Sequence, residues 1–146
     1  MPAKNLVSCL KTLLADSFTM YLTAHGYHWN VEGPDFSQYH GLFSDIYEDV
    51  YSSVDPIAEN IRKLDEYAPF TLAKFTALRT VEAKDVQPNP KSMAKALLTM
   101  NEGVLGTIDE AFKCAIKENQ QGIANFLSER DDMHKKWAWQ LRSSLK

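Results

Sequence analysis

The side chains with the most capacity for chemistry crowd into residues 25–59. His25, His28 and Trp29 stand in the run AHGYHWN, and His40, Ser44, Glu48, Tyr51, Asp55 and Glu59 follow along the next segment. Imidazole and carboxylate together form a donor set suited to Fe(II) or Mn(II), unlike the thiolates that select softer ions. On one helix His40, Ser44, Glu48, Tyr51, Asp55 and Glu59 fall within an arc of roughly 100°. Asp55 and Glu59 are then one turn apart, and both carboxylates reach a common ion.

Distance decides how such residues act together. His40 and Asp55 are 15 residues apart, which is about 22 Å along a straight helix, so they do not bind one ion within a chain. If two copies of the helix pack antiparallel about a two-fold axis near Glu48, His40 of one meets Asp55 and Glu59 of the other. Two equivalent sites then form at an isologous interface. Asp55 also has a structural reading, because Asp-Pro is how a helix starts, with Asp55 as cap and Pro56 in the first turn. That reading breaks the helix at Ser52-Ser53. A proline inside a continuous helix removes a backbone bond and costs about 3 kcal/mol.

The elements that must position these residues are long helices. Leu6, Leu10, Leu13, Leu14, Phe18, Tyr21 and Leu22 recur at spacings of three and four, predicting a helix over residues 5–30. Gly33-Pro34 breaks the chain. Asp35 with Gln38 forms a capping-box pattern for a second helix ending near Tyr67-Ala68-Pro69. A connection of about twenty residues follows, with the short helix TLAKFTAL inside it. Asn89-Pro90 opens a third long helix, Asn119 to Gly122 form a turn, and a fourth helix runs from Gly122 to Ser144. No strand-like alternation and no repeat appears. The fold class expected is all-α, a single domain over residues 1–146, with the one-long-crossover connectivity of ferritin-like four-helix bundles.

Composition narrows the function classes. Sixteen Lys and Arg against 19 Asp and Glu leave a net charge of -3, which argues against affinity resting on many phosphate contacts. Two cysteines, Cys9 and Cys114, form no disulfide framework and point to a reducing compartment, so a cytoplasmic protein is expected. No segment has the uninterrupted apolar length of a spanning helix.

The stretch HWNVEGPDFSQYHGLFSDIYEDVYSSVDPIAENIRKL resembles the signature of the Dps-type miniferritins, the ferritin-like proteins of starved cells. That pattern sets a second His twelve residues after His-Trp, an Asp four later, another Asp eleven further and a Glu four beyond. His28, Trp29, His40, Asp55 and Glu59 match it residue by residue. The resemblance implies a twelve-subunit hollow shell whose two-fold interfaces oxidise Fe(II), preferentially with hydrogen peroxide, and store the ferric product inside. It makes His28, His40, Asp55 and Glu59 the metal-binding and catalytic residues, iron the substrate and cargo, and Trp29 the nearby oxidisable aromatic. The departure is Ser44, where the family usually has Asp. Asp45 is rotated about 100° away, and Glu48 lies about 12 Å along from His40, so neither replaces the missing ligand. One iron should bind more weakly, and oxidation should be slower.

Two further groups are weighed against this site. Asp131-x-x-His134 imitates the Glu-x-x-His of larger di-iron bundles, but the second helix lacks the matching motif. Asp131, Asp132 and His134 are therefore expected on a solvated face, and the two cysteines as small core residues. DNA binding, the family's other activity, is expected to be weak or absent. The arm Met1-Pro2-Ala3-Lys4 has one basic residue, and Lys135, Lys136, Arg142 and Lys146 suffice only to solvate a helix. The rivals to an iron-storing ferroxidase are an inert cage disabled by Ser44 and a DNA-compacting shell.

Overall fold

The computed structural model describes residues 4–146, and five helices with no strand form among them. They are α1 (Leu6–Asn30), α2 (Phe36–Lys63), α3 (Leu72–Leu78), α4 (Pro90–Lys117) and α5 (Gln121–Ser144). Met1, Pro2 and Ala3 of the N-terminal arm lie outside the described residues. Short connections pair α1 with α2 and α4 with α5. Helix α1 joins the two pairs through α4 and also carries α3. The all-α bundle with one long crossover is as the periodicity predicts. No helix among the described residues is long and apolar enough to cross a membrane.

Local chemistry sets most helix ends. Asn5 caps α1, accepting from the Ser8 amide at 2.8 Å, while the Ser8 hydroxyl completes the box. Glu118, at the end of α4, accepts the free Leu6 amide at 2.8 Å, placing a carboxylate at the positive end of α1. Asn89 accepts from the Ser92 amide at 2.8 Å, with Pro90 in the first turn of α4. Asn119 takes a φ of 58° and Asp65 one of 65°, the left-handed residues that close α4 and α2. Helix α2 consequently stops at Lys63, several residues before the proline expected to end it.

Two expectations for α2 need correction. Asp35 makes no side-chain cap bond, because its φ of -100° and ψ of 22° are not the extended geometry of a cap. The tight turn at Gly33, whose φ is +119°, leads straight into the helix instead. Pro56 lies inside α2, so Asp55 starts no helix. Val50, Ile57 and Ile61 are buried on one stripe that runs past the proline, and their burial offsets the lost backbone bond. Just before it, the Ser52 and Ser53 hydroxyls donate back to the Asp49 and Val50 carbonyls, each at 2.6 Å.

Two buried polar networks hold these helices in register. The Asp16 carboxylate of α1 accepts from the Thr80 amide and hydroxyl, the Val81 amide and the Thr107 hydroxyl, at 2.6–3.1 Å. It thus pins the crossover between α1 and α4. Gly103 makes room there, since a Cβ on it would lie 2.7 Å from Val81 Cγ1.

The second network corrects the reading of α5. His134 is 1% exposed and does not belong to a solvated face, although Asp132 is exposed. Asn101 of α4 donates to the His134 carbonyl and accepts from His134 Nδ1, both at 2.8 Å. The His134 Nε2 therefore accepts from the Arg130 guanidinium at 3.0 Å, in a neutral ring. Arg130 in turn forks onto Asp49 of α2 with two bonds of 2.9 Å, and the Trp137 indole donates to the same carboxylate at 2.7 Å. The bland expectation failed because Arg130, four residues before His134, supplies the buried partner.

Burial, reinforced by the Arg130 charge, pushes the His134 pKa down to about 3, against the opposing pull of Asp49. An unfolded histidine takes up its proton near pH 6.5, so between those values the unfolded chain binds more protons. Stability should fall as pH drops through that window, by up to about 1.4 kcal/mol per pH unit. For Asp49, burial pushes the pKa up, but the Arg130 and Trp137 bonds outweigh it and hold the carboxyl below its ordinary value. Its stabilisation is present above the unfolded carboxyl pKa and is lost as pH falls through the folded one. Urea midpoints should decline from pH 7 to pH 4.5, and His134→Gln should flatten that decline. An unchanged slope would refute the role given to His134.

Candidate metal centre

The loop between α1 and α2 folds the last turn of α1 against the first turns of α2, which brings His28 and His40 together. Their rings stack with centroids 3.7 Å apart and 17° between planes. Each then bonds to the other's backbone: His28 Nδ1 lies 2.8 Å from the His40 carbonyl, and His40 Nδ1 lies 2.7 Å from the His28 carbonyl. A carbonyl only accepts, so both Nδ1 atoms carry a proton, and in the neutral form of each ring the lone pair is left on Nε2. That is how a protein fixes the tautomer of a metal-ligating imidazole. The exchange also satisfies the His28 carbonyl, one of the last four of α1 that lack a partner within the helix.

Aromatic side chains enclose the pair. Phe36 stacks on His40 at 4.7 Å, and Tyr47 meets the edge of His28 at 5.2 Å. His25 stacks flat on Tyr47 at 3.9 Å and shares a 2.9 Å hydrogen bond with the Tyr21 hydroxyl. Burial, with the neighbouring His28 adding to it, lowers the His25 pKa. Trp29 lies 4.2 Å from His25 and is 62% exposed. His25, which the sequence places beside His28 and Trp29, brings with it Tyr21 and Tyr47, two residues the sequence motif does not mark as part of the site. Tyr21 and His25 are four apart on α1, and Tyr47 is seven after His40 on α2, so the helical spacing contained the signal.

Asp55 and Glu59 are both exposed, farther along α2. Among the described residues, no three His, Cys, Asp or Glu side chains of one chain gather as a metal cage. The structure thus joins His28 to His40 and leaves the two carboxylates apart from them. Ser44 is half-buried one turn beyond His40, with its hydroxyl 3.5 Å from Glu48 Oε1. Leu22, Trp29, Phe36 and Tyr51, all on α1 and α2, are large apolar side chains exposed at 40–62%.

A helical bundle with one long crossover defines a class, and sequence comparison agrees with it. Residues 8–146 match the model of the Ferritin-like domain, and the chain belongs to that family. Within it the chain is a Dps-type miniferritin. It is 28% identical to the DNA protection during starvation protein of Helicobacter pylori, over 93% of this chain and 95% of the other. The solved Dps of Thermosynechococcus elongatus superposes with a TM-score of 0.93 at 26% identity, covering 97% of this chain and 90% of that one. An uncharacterized low temperature-induced protein of Nostoc sp. is 32% identical over 96% of this chain and 79% of its own length.

Proposed function

We propose that the protein is an iron-oxidising, iron-storing miniferritin that uses hydrogen peroxide as oxidant and protects its cell from oxidative damage. The observation that carries this reading is the reciprocal His28–His40 exchange, which leaves two Nε2 donors aimed away from their own backbone. Two imidazoles alone do not complete a site for a hard divalent ion. Asp55 and Glu59 of a second copy supply the carboxylates, at a two-fold interface covered by the apolar side chains of α1 and α2. Twelve such subunits form the hollow shell. Each Fe(II) gives up one electron, two reduce one peroxide to two hydroxides, and the ferric product is retained inside. This consumes both reagents of hydroxyl-radical chemistry.

The protein works in the cytoplasm on this reading, and both of its cysteines are free. Binding to DNA is weak or absent. Lys4 is engaged by Glu110 at 2.6 Å and Lys135 by Asp131 at 3.0 Å, and the net charge is -3. A salt-sensitive gel shift at about 0.15 M ionic strength would overturn that part.

Anaerobic addition of Fe(II) followed by peroxide, read by ferric absorbance, tests the site. A His28→Ala, His40→Ala double variant should oxidise iron at least about tenfold more slowly than the wild type. Equal rates would refute the assignment, and an assembled wild type with no oxidation would assign an inert cage instead. Ser44→Asp restores a hard oxygen donor one turn from His40. It should raise the rate by roughly tenfold, and an unchanged or slower rate would remove the missing carboxylate as the explanation.

A further inference from the structure

The first turn of α1 and the last turns of α4 carry the only two cysteines of the chain, 105 residues apart in sequence, and the fold sets them side by side. Their Sγ atoms are 3.8 Å apart. A disulfide needs about 2.05 Å, so small side-chain rotations separate two free thiols from a bond. Cys9 is 4% exposed and Cys114 half-buried. Cys114 Sγ also donates to the Lys4 carbonyl at 3.6 Å. Beside them an open cleft of about 430 Å³ is lined by Lys4, Cys9, Thr12, Thr107 and Glu110, among others. The cleft reaches the pair at Cys9, while Cys114 is half-buried and meets an oxidant from the surface of α4.

We infer that Cys9 and Cys114 are a peroxide-oxidisable dithiol, a modification site whose disulfide ties the start of α1 to the end of α4. Cys9 lies 19 residues from His28 on α1, about 28 Å along the helix, so the dithiol is separate from the imidazole pair and does not rest on the iron reading.

The order of events follows from reactivity. The thiolate is the attacking species, and burial, together with the neighbouring Cys114, pushes the Cys9 thiol up to about 11. Cys114, the more exposed thiol, therefore reacts first. Its sulfur attacks one peroxide oxygen, the O–O bond breaks, and the products are a sulfenic acid and one water. Cys9 sulfur then displaces the sulfenic oxygen, which leaves as a second water with the Cys9 proton. In sum, two thiols and one hydrogen peroxide give one disulfide and two waters. A dithiol returns the pair to its starting state by exchange.

The test uses the full-length assembled protein, reduced and stripped of metal with a chelator. It is treated with a small excess of hydrogen peroxide, quenched with catalase, unfolded in the presence of a maleimide, digested and weighed. The expected result is loss of both alkylatable thiols per chain, with a linked peptide pair joining Cys9 to Cys114 and lighter by two hydrogens. Dithiothreitol should restore both thiols. Cys9→Ser should leave Cys114 as a sulfenic acid captured by dimedone. The wild-type result stands alone if that buried substitution fails to fold. Survival of both thiols in the wild type would overturn the inference. So would conversion of Cys114 to sulfinic or sulfonic acid without a link, or links formed only between chains.

Discussion

Almost every side-chain polar atom buried among the described residues of this bundle has a partner, Ser17 Oγ and Arg130 Nε excepted, and much of the helix register follows from that constraint. An unpaired buried carboxylate or guanidinium is far more costly than the net gain from an ordinary hydrogen bond. Asp16 meets the requirement only if the crossover and α4 lie where they do, because its four bonds come from Thr80, Val81 and Thr107. Asp49 meets it only if α5 presents Arg130 and Trp137 to α2. Apolar stripes tell each helix which face is inward. Directional bonds decide how far each slides along its neighbour, which the non-directional hydrophobic effect does less sharply.

The same rule shapes the metal centre. The end of α1 exposes backbone carbonyls that need donors, and His40 supplies one to His28. His28 repays it across the interface between α1 and α2. Satisfying the backbone uses one nitrogen of each ring and leaves the other available. Local folding thus sets the tautomer of both imidazoles, the form that the proposed metal site requires. The carboxylates that the resemblance assigns to the site stay on the exposed part of α2, where no partner among the described residues competes for them. The proposed two-fold site would bring those carboxylates to the imidazole pair of a second copy.

Short-range signals were the most legible. Asn5, Asn89-Pro90 and the short helix TLAKFTAL act over three or four residues, and the helices start where those residues indicate. Asp35 and Asp55 looked like caps by residue type. Capping also demands an extended backbone, which Gly33-Pro34 removes at the first and the buried stripe of α2 removes at the second. His28 and His40 could be singled out because a short loop joins their helices. The Asp49–Arg130–His134 chain could not, since Asp49 and Arg130 lie 81 residues apart and each alone looks like an ordinary surface charge. The cysteine pair was hidden for the same reason, because sequence separation says nothing about which helix ends meet.

These layers have different claims on stability, and that separates folding from chemistry. The Asp16 and Asp49 networks are buried and are closed by protein donors alone. The His28–His40 exchange is half-buried at a helix end, where water can reach the carbonyls if the rings are removed. Losing it should cost on the order of 1 kcal/mol per bond, a small part of the 5–15 kcal/mol typical of a domain. Breaking the Asp49 network would instead strand a buried guanidinium, a loss of about 3–5 kcal/mol. Substitution of the imidazoles should therefore leave a bundle that still folds, so that any change in iron oxidation would report on the proposed site and not on unfolding.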